Sequence, residues 1–241
     1  MLIEARGITK AFGAFKAVDD ASVTVEEGDI LGLIGPNGAG KSTFFNCLTG
    51  DLPPTAGTVL FAGIDVTREP PEVRARLGLG RSFQVPLTFE SMSVLDNATI
   101  GALLRHPDAK EAQAKARAVL ETLGLGRLAD TPARSLGTPG RKRLEIARAL
   151  ASEPKVLLLD EAMAGLTPTE VREAIELVRR IHAGGVTIVV VEHIMEVIVS
   201  LTRRVVVFHQ GREIARGTPR EVMSDPRVIE AYLGRRKVRH A

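Results

Sequence analysis

The chain has 241 residues, of which 44% are hydrophobic and 25% charged, with a net charge of +3 and one cysteine, Cys47. That composition suits a globular chain with a substantial core and excludes an intrachain disulfide. No apolar run approaches the roughly 20 residues that span a bilayer, the mild basicity is spread out rather than gathered for nucleic acid, and "MLIEARGITK", with its early Glu4, does not read as a signal peptide.

In chain order, "ASVTVEEGDILGLIG" reads as two strands around the turn Glu27-Gly28-Asp29. The second strand runs into Gly35-Pro36-Asn37-Gly38-Ala39-Gly40-Lys41-Ser42 and then into an apolar-faced helix. Strand, G-x-x-x-x-G-K-[ST] loop and helix in that order make a phosphate cradle. Its glycines let the loop curl so that backbone N–H groups converge on phosphate oxygens. The helix N-terminus adds partial positive charge. Lys41 is expected to reach the β- and γ-phosphates, and the Ser42 hydroxyl to ligand Mg²⁺. Cys47 sits among Phe44, Phe45 and Leu48, which predicts packing rather than reactivity.

Between about residues 89 and 149 helical patterns replace strands. Asp108 with Glu111 opens an alanine-rich helix running to about Leu123. "GRKRLEIARAL" reads as a basic amphipathic helix entered through the glycine-rich turn Leu136-Gly137-Thr138-Pro139-Gly140. "KVLLLD", "VTIVVVE" and "RRVVVFHQG" read as strands, the first two apolar enough to be covered on both faces. "KVLLLDEA" ends in two carboxylates. Beside a phosphate cradle, Asp160 suits the Mg²⁺ shell, and Glu161 suits an attacking water as general base or orienting group. Thr167-Pro168-Thr169-Glu170 and Thr218-Pro219-Arg220-Glu221 are capping boxes with proline at the first helical position. After the first, Val171, Ile175, Val178 and Ile181 fall on one helical face.

The long interval from the cradle to Asp160, enclosing a helical segment, resembles the ATP-binding subunits of ABC transporters over essentially the whole chain. The resemblance implies an α/β fold: a P-loop NTPase (RecA-like) core, residues 1–88 and 150–241, with an N-terminal antiparallel β subdomain and an inserted helical subdomain, 89–149. It implies ATP and Mg²⁺ as cofactors, with Gly35 through Ser42 and the following Thr43 as the nucleotide-binding run and Lys41 also counted in catalysis. Gln84, in "RSFQVP", looks like the glutamine that contacts Mg²⁺ and the attacking water. His193, in "VVVEHIMEV", matches the histidine that contacts the γ-phosphate and orients Glu161. Phe12, in "ITKAFGAF", matches the aromatic stacked on adenine, a contact with modest base selectivity.

"RLEIARAL" aligns Leu136–Gly140 with the family signature Leu-Ser-Gly-Gly-Gln, which caps the ATP of a second, head-to-tail subunit. Two glycine-rich helix starts in one chain thus serve two different nucleotides, with Gly137 and Thr138 facing the opposite one. The match is incomplete. Gly137 stands for the serine hydroxyl, Pro139 lacks the N–H of a glycine, and Gly140 stands for the glutamine. Ala162 replaces a proline after the Asp-Glu pair, and Thr167 replaces an Asp but also serves as a helix cap.

"DEAMAGLTPTE", "EHIMEVI" and "GTPREVMSDPRVIEAYLG" look like the branched-chain amino acid importer branch. This implies two transmembrane permease subunits, a second ATP-binding subunit (a heterodimer, with a homodimer as the alternative), a substrate-binding protein acting indirectly, and no nucleic acid partner. The expected place is the cytoplasmic face of the membrane, held through the permeases. The competing readings are an ATPase of lipopolysaccharide export, a soluble non-transport P-loop ATPase, and a nucleotide-dependent regulatory subunit with little hydrolysis. The basic ending "GRRKVRHA" is expected to be a solvated tail, with contact to anionic headgroups as the alternative.

Overall fold

In the computed structural model residues 1–233 are described, so the basic ending lies outside the described residues. The chain divides into two units, one joining Met1–Pro71 with the chain from Val189 onward, the other running Glu72–Ile188.

The first unit opens with β1 (Ile3–Phe12) and β2 (Phe15–Val25), an antiparallel hairpin in which Phe12 pairs with Phe15 across the turn. β3 (Ile30–Ile34) leads to α1 (Lys41–Thr49). β4 (Ala56–Phe61) and β5 (Ile64–Asp65) complete a four-stranded antiparallel sheet in the order β2-β1-β4-β5. This is the N-terminal antiparallel element that the resemblance implies.

The second unit takes up the chain with α2 (Pro71–Leu77) and β6 (Leu79–Arg81). Three helices follow: α3 (Val94–Ala102), α4 (Ala109–Thr122) and α5 (Thr138–Ala151). Asp108 caps α4, its carboxylate accepting the N–H groups of Lys110 and Glu111, as its sequence position predicts. β7 (Val156–Asp160) lies parallel to β6 and is buried at every position. α6 (Pro168–Ala183) starts with Thr167 and Glu170 in a reciprocal capping box and buries Val171, Ile175, Val178 and Ile181. β8 (Thr187–Val191), also buried throughout, carries the chain back to the first unit.

There α7 (Met195–Leu201) precedes β9 (Arg204–His209), which is parallel to β3 and antiparallel to β10 (Arg212–Gly217). α8 (Pro219–Ser224), opened by the second capping box, and α9 (Pro226–Leu233) end the described chain. The core beneath α1 is aromatic. Phe44 and Phe208 are fully buried and meet edge to face with ring centroids 5.0 Å apart, a contact worth about 0.5–1.5 kcal/mol beyond its area. Cys47 is buried in the same helix, in keeping with a packing role. Among the described residues no helix is long and apolar enough to cross a membrane.

Candidate functional site

In the first unit, β3 delivers the chain into the loop Gly35–Gly40, and α1 begins at Lys41. Two glycines are required by what touches them. A Cβ at Gly35 would collide with the carbonyl oxygen of Phe208, and one at Gly40 with that of Ala17. Both also have positive φ, +153° and +96°. The loop therefore lies flat against neighbouring backbone. Gly40 is the N-cap of α1 and offers its first turn no side-chain bond. The Lys41 ammonium folds back over the loop and donates to the carbonyls of Gly35 at 2.7 Å and Pro36 at 3.1 Å. Ser42 is exposed and Thr43 half-buried at the same helix start. Phe12, at the hairpin tip, is 50% exposed, and Lys10 Nζ lies 5.2 Å from its ring centroid. His193 is exposed in the bend after β8.

The second unit gathers Gln84, Asp160 and Glu161. Glu161 follows the last residue of β7 and takes a left-handed backbone, φ +46°. Gln84 Nε2 donates to Glu161 Oε2 at 2.8 Å, so the two residues expected to handle water touch directly. Asp160 is buried and accepts from Arg81 Nη2 at 3.2 Å, while its N–H donates to Ser82 Oγ. The strand-end acid pair predicts a place for Asp160 in the metal shell and gives no sign of its guanidinium partner, which comes from β6, far away in sequence.

The glycine-rich turn precedes α5. Gly137 is the N-cap, with no side-chain cap, and Pro139 lies in the first turn without an N–H. Gly137 and Thr138 are exposed. Arg141 steadies the turn by donating from Nε to the Leu136 carbonyl at 3.0 Å. Sequence reading missed two residues of this helix, Lys142 and Glu145, both buried. Lys142 Nζ donates to the Glu161 carbonyl at 3.2 Å, and Glu145 Oε1 accepts the Leu87 N–H at 3.2 Å. Burial pushes the Glu145 carboxyl above its ordinary range, against the lowering effect of the Leu87 and Phe83 amides. The available signal was two charges at apolar positions of an amphipathic helix.

Among the described residues no group of three or more His, Cys, Asp or Glu side chains could hold a metal ion. The donor set suits Mg²⁺ instead, which is commonly held by one or two carboxylates together with a nucleotide's phosphates.

Residues 18–164 match the ABC transporter family, and residues 212–238 match the C-terminal segment of the branched-chain amino acid ATP-binding cassette transporter. The high-affinity branched-chain amino acid transport ATP-binding protein LivG of Salmonella typhimurium is 38% identical, covering 97% of this chain and 98% of its own. The lipopolysaccharide export system ATP-binding protein LptB of Acidithiobacillus ferridurans is 37% identical, covering 97% of each. A solved nucleotide-free ATP-binding cassette from an ABC transporter superimposes with TM-score 0.88 at 33% identity, covering 97% of this chain and 99% of its own. The ADP conformation of MJ1267, another such cassette, gives 0.88 at 34%, covering 97% and 98%. A phosphate cradle, a strand-end Asp-Glu pair and full-length kinship at this level have one reading: this chain belongs to the ABC transporter family, as one of its ATP-binding cassettes.

Proposed function

We propose that this chain binds Mg²⁺-ATP through Gly35–Thr43, hydrolyses it with Glu161, and powers import of branched-chain amino acids or related small polar solutes. The observation that carries the reading is the loop itself. It is pressed against backbone at Gly35 and Gly40, it opens a helix that has no side-chain cap, and Lys41 folds back over it. Lys41 binds the β- and γ-phosphates, giving up carbonyl contacts that a phosphate replaces with stronger, charge-assisted ones. Phe12 stacks on the adenine. Ser42, Gln84 and Asp160 are the residues that would hold Mg²⁺. The ion, when bound, neutralises charge developing on the β- and γ-oxygens. Glu161 accepts hydrogen bonding from the attacking water while Gln84 steadies its carboxylate, and His193 orients that pair. The division of the chain into a nucleotide-binding core, 1–88 and 150–241, and a signature subdomain, 89–149, belongs to the same reading.

The solute class is supported by the C-terminal match and by the names of relatives such as LivG. Two permease subunits, a second cassette and a substrate-binding protein complete the assembly, and the chain sits on the cytoplasmic face of the membrane through the permeases. The altered turn Leu136–Gly140 supports a heterodimer. It offers neither a serine hydroxyl at 137 nor an N–H at 139 to the opposite nucleotide, whereas this chain's own loop is intact.

The test is Lys41→Ala. Binding of Mg²⁺-ATP and its turnover are expected to fall at least tenfold, the loss of about 1.4 kcal/mol or more of phosphate contact. Unchanged binding and turnover would overturn the reading. Loss of leucine uptake in cells carrying the variant, set against urea or amide uptake, identifies the solute.

A further inference from the structure

The buried charges of α5 have a use that the nucleotide reading leaves unassigned. Lys142 and Glu145 are three residues apart and so lie on one side of the helix. Both are almost fully buried, at 7% and 2% exposure, where unpaired charges are costly. Their contacts point to the same place. Lys142 Nζ donates to the backbone carbonyl of Glu161 at 3.2 Å. Glu145 Oε1 accepts the backbone N–H of Leu87 at 3.2 Å, three residues past Gln84. The Glu161 carboxylate and Gln84 amide are themselves bonded at 2.8 Å. One helix therefore holds the backbone of Glu161 and the backbone of the loop that carries Gln84.

Glu161 has particular need of such a hold. Its left-handed backbone, φ +46°, is disfavoured for a residue with a Cβ and persists only where surroundings impose it. A relaxed backbone at 161 would swing the carboxylate away from Gln84. The Lys142 ammonium, bonded to the carbonyl of the same residue, opposes that rotation. The exposed side of the same helix does nothing similar: Arg143 pairs with Glu173 of α6 at the surface.

We propose that Lys142, assisted by Glu145, is a positioning residue for hydrolysis: it ties Glu161 and the Gln84 loop to α5, the helix whose N-terminus carries Leu136–Gly140. The proposal rests on Glu161 being the hydrolytic carboxylate. In consequence, α5 joins this chain's own hydrolytic pair to the turn that faces the other cassette's nucleotide. Strain on that turn reaches Glu161 through a single rigid helix.

The experiment uses the full chain, purified from detergent-solubilised membranes with the subunits that accompany it. Turnover, KM for Mg²⁺-ATP, binding of a fluorescent ATP analogue and thermal unfolding are measured for Lys142→Met, Lys142→Arg and Arg143→Met. Lys142→Met is expected to lower kcat about tenfold while KM and analogue affinity stay within about twofold, the pattern of a group that acts on the reacting pair rather than on binding. Lys142→Arg, which keeps a cationic donor, restores most of the turnover. Arg143→Met stays near wild type.

Turnover of Lys142→Met within twofold of wild type overturns the proposal, as does an arginine variant no better than the methionine one. So does an Arg143→Met loss equal to that of Lys142→Met, because it would indicate a general effect of charge on the helix. Should Lys142→Met not fold, Lys142→Gln, whose amide ends short of the carbonyl, is judged by the same thresholds. Lys41→Ala separates the two readings. If it abolishes analogue binding while Lys142→Met keeps its kcat, only the positioning role falls. If Lys41→Ala binds normally, the nucleotide reading falls first.

Discussion

Glu161 sits at φ +46°, which costs an L-residue about 1–2 kcal/mol relative to the right-handed region. Glycine pays no such penalty, so Glu161→Gly should separate stability from chemistry. The apparent midpoint of thermal unfolding is expected to rise by about 2–4 °C, the size of effect that about 1 kcal/mol produces in a chain of this length, while ATP turnover is lost. A lower midpoint in calorimetry would mean that the bonds from Gln84 and Lys142 outweigh the backbone penalty. The expectation for Glu161 comes from "KVLLLDEA", an apolar strand ending in two acids in a chain that also carries a G-x-x-x-x-G-K-S loop. Its backbone conformation was not legible there, since a left-handed glutamate contradicts local preference, and its carbonyl accepts from Lys142, which lies 19 residues earlier.

Helix starts are the elements that sequence reads best, because a cap is a local bargain among four residues. At α6 the Thr167 N–H and hydroxyl donate to Glu170 at 2.7 and 2.8 Å, and the Thr167 hydroxyl accepts the Glu170 N–H. The Thr167 backbone N–H, followed by its hydroxyl, holds the Glu170 carboxyl below its ordinary value. A depressed carboxylate contributes stability that is present above its unfolded pKa and is lost as pH falls through the folded one. Thr167→Ala is expected to cost about 1 kcal/mol near neutral pH. The gap from wild type should narrow progressively as a urea titration series is carried from pH 7 toward pH 3. A gap that widens on acidification would show that Glu170 is not the carboxylate concerned. Burial acts in the opposite direction at Glu145 in α5. Its raised pKa means that its contribution is complete below the unfolded value and declines as pH climbs through the folded one.

At the scale of the assembled transporter, the turn before α5 and the loop before α1 are unequal. The loop before α1 matches the G-x-x-x-x-G-K-[ST] pattern throughout, while against the family signature Gly137 lacks a hydroxyl and Pro139 an N–H. A charge-assisted hydrogen bond contributes roughly 1.5–3 kcal/mol, so one such loss weakens closure over the opposite ATP by about tenfold or more. If the proposed heterodimer forms, hydrolysis is expected to run mainly through this chain's Glu161. With both cassettes purified together, Glu161→Gln is expected to remove most of the turnover, and the equivalent change in the other cassette much less. Equal losses would reject the asymmetry.

Sequence alone determined the family, the α/β class, the glycine-rich loop before α1 and the capped helix starts, because each is written in contiguous residues whose local preferences agree with the fold. It also located Gln84, Asp160 and Glu161 as separate points along the chain. Only tertiary structure decided that Gln84 and Glu161 touch, that Arg81 holds Asp160, and that Lys142 and Glu145 anchor the pair from α5. Those contacts join segments 19 to 79 residues apart, where a hydrogen bond near 3 Å depends on how helices and strands pack and leaves no periodic trace in the chain.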